Sequence, residues 1–358
     1  MKYNLREFFR LLVASIVFWS LVFCFFILIR YYALNEEQGI ILSEQFKIPI
    51  VQWLDFGLFL GVFIGFFYAV IEFLFDKYLL KKLYLGLSIL IQTFIYLVLL
   101  IFSFTLIIEI AETRMDLDLP NERGWWRTSK VFWLTVGYFG VSSVVFSFLK
   151  IAKERFGRDN FFKLLMGKYR KPVEEERIFM FLDLKSSTTI AEDLGHLKYS
   201  KLIQDCFLDL NLLLYRYGAE VYQYVGDEAV LSWDFKKGVK RDNCIGLFFA
   251  FQDRMQKRKT YYQKKYGIVP EFKAGLHGGK LIVVEVGSVK KELAYHGDVI
   301  NTTSRIQDQC NSYKEKLLIS EELSEHLKLN GKYGTTKMDH LVLKGKTRGL
   351  TIFAVHRK

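Results

Sequence analysis

The sequence predicts a membrane domain of four α-helical spans followed by an α+β domain of the ferredoxin-like type. Three observations lead there. Residues before about 150 are mostly apolar, whereas those after are mixed and highly charged. Four apolar stretches in the first part are each long enough, at about 20 residues, to cross a bilayer. The second part orders its strand-like and helix-like segments as β-α-β-β-α-β. The expected division is 1–149 as a transmembrane anchor or sensor, 150–175 as a coupling linker, and 176–358 as the globular domain.

Composition narrows the function classes. Apolar residues make up 51% of the 358-residue chain and aromatics 16%, including 33 Phe, which is high for a soluble protein. The formal charge of +12 does not point to nucleic acid. No arginine-rich run interleaves with aromatics, and cations facing a cytoplasmic membrane surface account for the charge equally well. Cys24, Cys206, Cys244 and Cys310 are far apart and show no CxxC spacing, so neither a disulfide framework nor a zinc site is expected. All six histidines lie after the spans, the first at His196, which rules out a bis-histidine haem in the membrane.

The spans run roughly over Leu11–Leu34, Ile50–Phe75, Leu83–Ile110 and Val131–Leu149. The first is too long for a signal peptide and lacks a small-residue cleavage pattern. Lys2, Arg6 and Arg10 precede it, Lys77, Lys81 and Lys82 fill the second loop, and Lys150, Lys153, Arg155 and Arg158 follow the last span. The positive-inside rule therefore places the N-terminus and the second half in the cytoplasm, with the chain multi-pass in the inner (plasma) membrane. Asp55, Glu72 and Glu109 lie near span ends, where a carboxylate reaches water at low cost; a proton or cation sensor is the alternative. A joint follows, Lys150–Pro172, with Gly157, Gly167 and Pro172 as breakers. Phe161, Phe162, Leu164 and Leu165 would form one apolar face of a short helix there.

In the second half, Arg177–Asp183 is an apolar strand ending in a carboxylate, and Ser186–Thr189 starts a helix whose hydroxyls and N–H groups suit phosphate oxygens. An amphipathic helix with core residues from Tyr199 to Tyr217 ends at Gly218. Val221–Trp233 then reads as a hairpin with Asp227 at its tip. A second long helix spans about Asp242–Tyr266. Phe272, Ala274 and Leu276 form a strand into Gly278-Gly279, from which Leu281–Val286 returns. A strand-end Asp183 and a hairpin-tip Asp227 can converge to hold two hard cations against a nucleoside triphosphate. In Ala294–Gln307, Asn301 and Arg305 stand four apart on one helix face and present an amide and a guanidinium. Lys344 and Lys346 flank a glycine before a last strand, Thr351–Val355. Taken singly, each of these features is also what a plain turn, N-cap or solvated helix face looks like.

The segments FLDLKSSTT, YVGDEAVLSW, HGDVINTTSR and LKGK, in this order, resemble the class III nucleotidyl cyclases from about Glu176 to the C-terminus. The resemblance implies that Asp183 and Asp227 bind two Mg²⁺ or Mn²⁺ ions per active site. It implies that Asn301 and Arg305 stabilise the transition state and that Lys344 contacts phosphate. It also implies a ferredoxin-like palm working as a homodimer, with the metal residues of one subunit facing Asn and Arg of the other. The substrate would be ATP or GTP. Ser186, Ser187 and Thr188 lie at the phosphate turn, with Ser186-Ser187 in place of the family's usual Gly-Phe.

The base-reading positions are unusual. The lysine of the adenylyl enzymes corresponds to Gln223, and its Asp or Thr partner to Ala294. Gln donates or accepts, and Ala does neither through its side chain, so ATP is favoured on the family's habits alone. A guanylate or dual-specificity cyclase, or a catalytically weak nucleotide-binding or dimerisation module, remains open. A diguanylate cyclase fits Gly226-Asp227-Glu228 but gives no place to the Asn301/Arg305 helix, and the spans have too few ionisable residues for a transporter.

Overall fold

The computed structural model describes residues 2–33, 49–78, 87, 90–92, 94–99, 101–102, 127, 130–156, 158–289, 291–329, 331–341 and 349–358. It divides into two compact units, Met1–Arg155 and Phe156–Lys358.

In the first unit, helices α1 (Lys2–Ala33), α2 (Ile50–Tyr78) and α3 (Lys130–Phe156) contain the apolar segments Phe8–Tyr32, Ile50–Phe75 and Phe132–Lys150. Each is long and apolar enough to cross a membrane. Among the described residues these are three rather than the expected four. The expected Leu83–Ile110 span lies for the most part outside them, with an apolar helical piece at Leu90–Leu99. Outward-facing positions are as apolar as inward ones: Val13, Val17, Leu21 and Phe25, one turn apart on α1, are all exposed. A helix that is apolar all round is suited to lipid rather than water. Inside, Trp19, Phe23, Tyr68 and Phe139 form an aromatic core. Helices α1 and α2 touch backbone to backbone, because a Cβ on Gly61 would lie 2.3 Å from Ser20 Cα. Small residues that permit such approach drive helix pairing where lipid removes the hydrophobic incentive.

The three acids expected at span ends differ. Asp55 is exposed, and Glu109 lies outside the described residues. Glu72, expected to reach water, is 2% exposed. Its carboxylate accepts from Lys150 Nζ at 2.5 Å, from Gln92 Nε2 at 3.3 Å and from the Tyr96 hydroxyl. A buried charge has to be met in this way.

The second unit begins with α4 (Arg158–Leu165). Its four apolar residues do not share one buried face. Leu164 packs on the core, whereas Phe162 and Leu165 are exposed. The strands and helices that follow are β1 (Val173–Leu184), α5 (Ser187–Tyr217), β2 (Glu220–Val225), β3 (Glu228–Asp234), α6 (Phe235–Val239), α7 (Asn243–Lys257), α8 (Lys259–Tyr266) and β4 (Phe272–Val286). The sheet order β2-β3-β1-β4 is the ferredoxin-like arrangement expected from the β-α-β-β-α-β succession. The sheet then grows beyond it. β5 (Glu292–His296) pairs with β4. After α9 (Asp298–Ser312), β6 (Leu317–Ser320) joins β4 in parallel. The helix α10 (Glu321–His326) precedes β7 (Tyr333–Leu341) and β8 (Leu350–Arg357), which complete the order β6-β8-β7.

Two further expectations are corrected. The long helix expected over Asp242–Tyr266 is broken at Arg258, with φ −101° and ψ 13°, into α7 and α8. Gly278-Gly279 is no turn, and β4 runs through it unbroken. Gly278 instead makes room for the Phe235 ring, which a Cβ would meet at 2.8 Å.

Side-chain alternation on the central strand builds two layers. Ile178, Met180 and Leu182 face the main core with α5 and α7, and Phe179 and Phe181 face a second cluster that includes Val299 of α9. Asp183 has the parity of the second set, so the strand's pleat aims it to the α9 side of the sheet.

Candidate active site

Asp183 lies one residue before the end of β1, directly opposite Lys273 of β4. Its Oδ2 meets Lys273 Nζ at 3.2 Å and accepts from Gln307 Nε2 of α9 at 3.0 Å. β3 lies on the other side of β1, with Leu182 opposite Ala229. That register carries the tip of the β2–β3 hairpin, Gly226-Asp227, up beside Asp183. The two acids, distant in sequence, are thus brought together by strand pairing alone.

The electrostatics are those of crowded carboxylates. Burial raises Asp183 above the usual carboxylate range, and Asp227 adds to the rise against the opposing pull of Lys273. Burial, and then the charges of Asp183, Asp227 and Asp308, push Glu228 up to about 7. Burial and the charge of Asp227 likewise raise the Tyr199 phenol. Oδ2 of Asp227 is buried without a hydrogen-bond partner, a costly condition for a carboxylate oxygen. An unpartnered oxygen inside a cluster of raised acids fits a divalent cation. Among the described residues no three His, Cys, Asp or Glu side chains form a complete metal cage. A carboxylate pair completed by phosphate oxygens and water is the usual way Mg²⁺ is held where phosphates are handled.

Four residues past Asp183 the chain starts α5. Ser186 takes the left-handed conformation, φ 58° and ψ 35°, with no side-chain capping bond. This is the position where the resemblance leads one to expect glycine, and a residue with a Cβ is strained there by ~1–2 kcal/mol. Ser187 and Thr188 begin the helix proper. The N–H groups of a first turn have no intrahelical acceptor and face outward.

Gln223 is exposed on β2 beside a bulge, and Ala294 sits on β5 opposite Val284. Their neighbours Tyr222 and Tyr295 touch, with ring centroids 4.9 Å apart, and both pack on Phe179. The two strands expected to read the base therefore meet within one chain.

Asn301 and Arg305 belong to α9, whose Thr302, Thr303, Ile306 and Gln307 are buried. Asn301 is exposed and Arg305 half-buried. At about 100° per residue, Arg305 lies about 200° around the helix from Gln307, the residue that touches Asp183. One chain thus brings Asp183 and Asp227 together, while Arg305 and, one turn before it, Asn301 lie on a different face of α9 from Gln307. Lys344 lies outside the described residues.

Sequence reasoning missed Lys273, Gln307, Glu228 and Tyr199. Lys273 depends on a cross-strand register that no local pattern reveals. Gln307 left a trace, being a polar residue in the otherwise core-forming stripe Val299, Thr303, Ile306 and Cys310.

The family described as adenylate and guanylate cyclase catalytic domain matches residues 170–356. Adenylate cyclase 2 of Rhizobium meliloti (strain 1021) is 38% identical over 181 residues, covering 51% of this chain and 50% of that protein. The receptor-type guanylate cyclase gcy-7 of Caenorhabditis elegans is 23% identical over 188 residues, covering 51% of this chain and 17% of that protein. The chain thus spans half the length or less of these relatives. A bacterial light-regulated adenylyl cyclase structure matches with a TM-score of 0.53 at 15% identity, over 64% of this chain and 67% of that one, which is a likeness of fold. With the family match extending over more than half of the chain, the protein belongs to the class III adenylate and guanylate cyclases.

Proposed function

We propose that this protein is a membrane-bound nucleotidyl cyclase that converts ATP to 3′,5′-cyclic AMP and pyrophosphate at two equivalent sites of a homodimer. The observation that carries the reading is the strand-paired meeting of Asp183 with Asp227, whose Oδ2 is buried and unpartnered. Asp183 and Asp227 would hold two Mg²⁺ or Mn²⁺ ions, which when bound supply Lewis-acid polarisation of the 3′-hydroxyl and charge neutralisation on the triphosphate. The 3′-oxygen forms its bond to the α-phosphorus, the bond to the bridging oxygen breaks, and the 3′-hydroxyl proton passes to water as pyrophosphate departs.

The chain's own groups bind and orient. The turn Ser186–Thr188 offers N–H groups and hydroxyls to phosphate oxygens. Asn301 and Arg305 of the second copy donate to the charge that develops in the transition state. Lys344 is assigned the role of a phosphate contact. The case for a homodimer is that, within one chain, Asn301 and Arg305 lie on a different face of α9 from Gln307, the residue that touches Asp183.

Base choice favours ATP on the side of the relative named an adenylate cyclase. Gln223 and Ala294 support a second reading, a guanylate or dual-specificity enzyme, since this pair offers no committed donor–acceptor set. The apolar outward faces of α1, α2 and α3 support anchoring in a bilayer, with the cyclase domain in the cytoplasm. The test is incubation of the purified full-length protein with ATP or GTP and Mn²⁺, and identification of the cyclic product by mass. Cyclic AMP formation that Asp183→Asn abolishes is expected. Formation of neither cyclic nucleotide would sink the proposal.

A further inference from the structure

We infer that Gln307 is a positioning residue for Asp183, fixing one oxygen of that carboxylate and leaving the other to the cation. The inference rests on the reading of Asp183 and Asp227 as the metal pair. Gln307 is 3% exposed, and a buried amide must find partners. Its Nε2 donates to Asp183 Oδ2 at 3.0 Å. A carboxylate only accepts, so the nitrogen end of the amide is the one that faces it.

What makes this donor rigid is the backbone beneath it. Helix α9 lies directly on β4 at Gly275, where a Cβ would come within 2.4 Å of Gln307 N and 2.7 Å of its Cα. The base of the side chain is thus locked to the strand that neighbours β1. Lys273 reaches the same Oδ2 at 3.2 Å, but from the end of a flexible four-carbon stem carrying a point charge. The two residues divide the work. Lys273 balances charge, and Gln307 sets direction. A neutral amide also suits a place already crowded by Asp183, Asp227 and Glu228, because it donates without adding charge. Outer partners that orient a ligating side chain in this way commonly govern metal affinity.

The competing account is that Gln307 only fills the space between helix and sheet. Mn²⁺ binding separates the two. Full-length protein in detergent is titrated with Mn²⁺ in the presence of an ATP analogue lacking the 3′-hydroxyl, and free Mn²⁺ is read by electron paramagnetic resonance. Gln307→Met keeps length and volume but removes the donor. It is expected to weaken Mn²⁺ binding by about 10-fold, the lower end of the ~10–100-fold range for such partners, since Lys273 still holds Oδ2. The Mn²⁺ concentration for half-maximal turnover should rise in parallel, with little change in metal-free melting. Gln307→Leu, which also lacks a donor and leaves less room for water, carries the same expectation and stands in if the methionine fails to pack. Wild-type Mn²⁺ affinity in a folded Gln307 variant would overturn the inference. Wild-type affinity in Asp183→Asn would instead overturn the metal reading beneath it, so the two failures are distinguishable.

Discussion

Asp227 should cost the protein stability as long as no cation is bound. Its Oδ2 is buried and unpartnered, and it raises the proton affinity of both Asp183 and Glu228. Asp227→Asn removes one negative charge at constant volume, and the new amide can donate to the Asp183 carboxylate. An unsatisfied buried polar group costs ~1–3 kcal/mol, and more if charged. Part of that is regained, so the metal-free variant should be more stable by about 1–2 kcal/mol. For a domain of this size that is a rise of roughly 2–8 °C in its unfolding transition. Mn²⁺ together with an ATP analogue lacking the 3′-hydroxyl should reverse the order. Ligand present at 100 times its Kd stabilises the native state by about 2.7 kcal/mol, and the variant forfeits most of that along with its activity. Differential scanning fluorimetry with and without Mn²⁺ and nucleotide measures both halves. A variant that melts below wild type without metal would show Asp227 to be a structural turn residue. A variant that gains as much from Mn²⁺ as wild type does would show that it is no ligand.

Further outcomes follow from the same structure. Ser186→Gly relieves a left-handed backbone costing ~1–2 kcal/mol, less the entropy of a new glycine. It should therefore stabilise the cyclase domain by about 0.5–1 kcal/mol in the same melting assay, whereas unchanged or lower melting would contradict the strain. In the first unit, Lys150→Met leaves Glu72 buried without its counter-charge and should cost ~3–5 kcal/mol. The double change Glu72→Gln with Lys150→Met should recover much of this in detergent unfolding, and additive losses would refute the pairing. Burial tends to raise Asp205, but hydrogen bonds from Lys265, Tyr266 and Tyr261 outweigh it and hold the group below its ordinary range. A depressed carboxylate gives stability above its unfolded value and loses it as pH falls through the folded one. Lys265→Met should therefore move the onset of acid unfolding to higher pH, and an unmoved onset would argue against this network.

What could be read in the sequence is what local chemistry dictates. The strand that carries Asp183 near its end, the hairpin at Gly226-Asp227 and the helix stop at Gly218 each follow from side-chain period and turn residues within a few positions. Contacts made by tertiary register were not visible. Lys273 meets Asp183 only because β4 pairs with β1 in one particular register, and Glu72 meets Lys150 across 78 residues. Glycines misled where they serve packing rather than turning. Gly278 looked like the end of a strand and is instead the place where Phe235 lies against one. Gly61, which brings two helices into backbone contact, went unread among the apolar residues of its span.

The central claim is that Asp183 and Asp227 of one copy act with Asn301 and Arg305 of another. Co-expression of Asp183→Ala with Asn301→Ala tests it most directly. On that claim, Asp183→Ala alone should remove a metal ligand from both sites, and Asn301→Ala a transition-state donor worth roughly 10²–10³ in rate. With equal expression about half of the dimers are mixed, and in each of these one of the two sites draws both residues from undamaged chains. Activity should return to about a quarter of wild type. Asp183→Ala paired with Asp227→Ala should recover nothing, because every site then loses a metal ligand. If mixed dimers are shown to form and the first pair stays as inactive as its members, the site lies within a single chain and the shared-site mechanism is wrong.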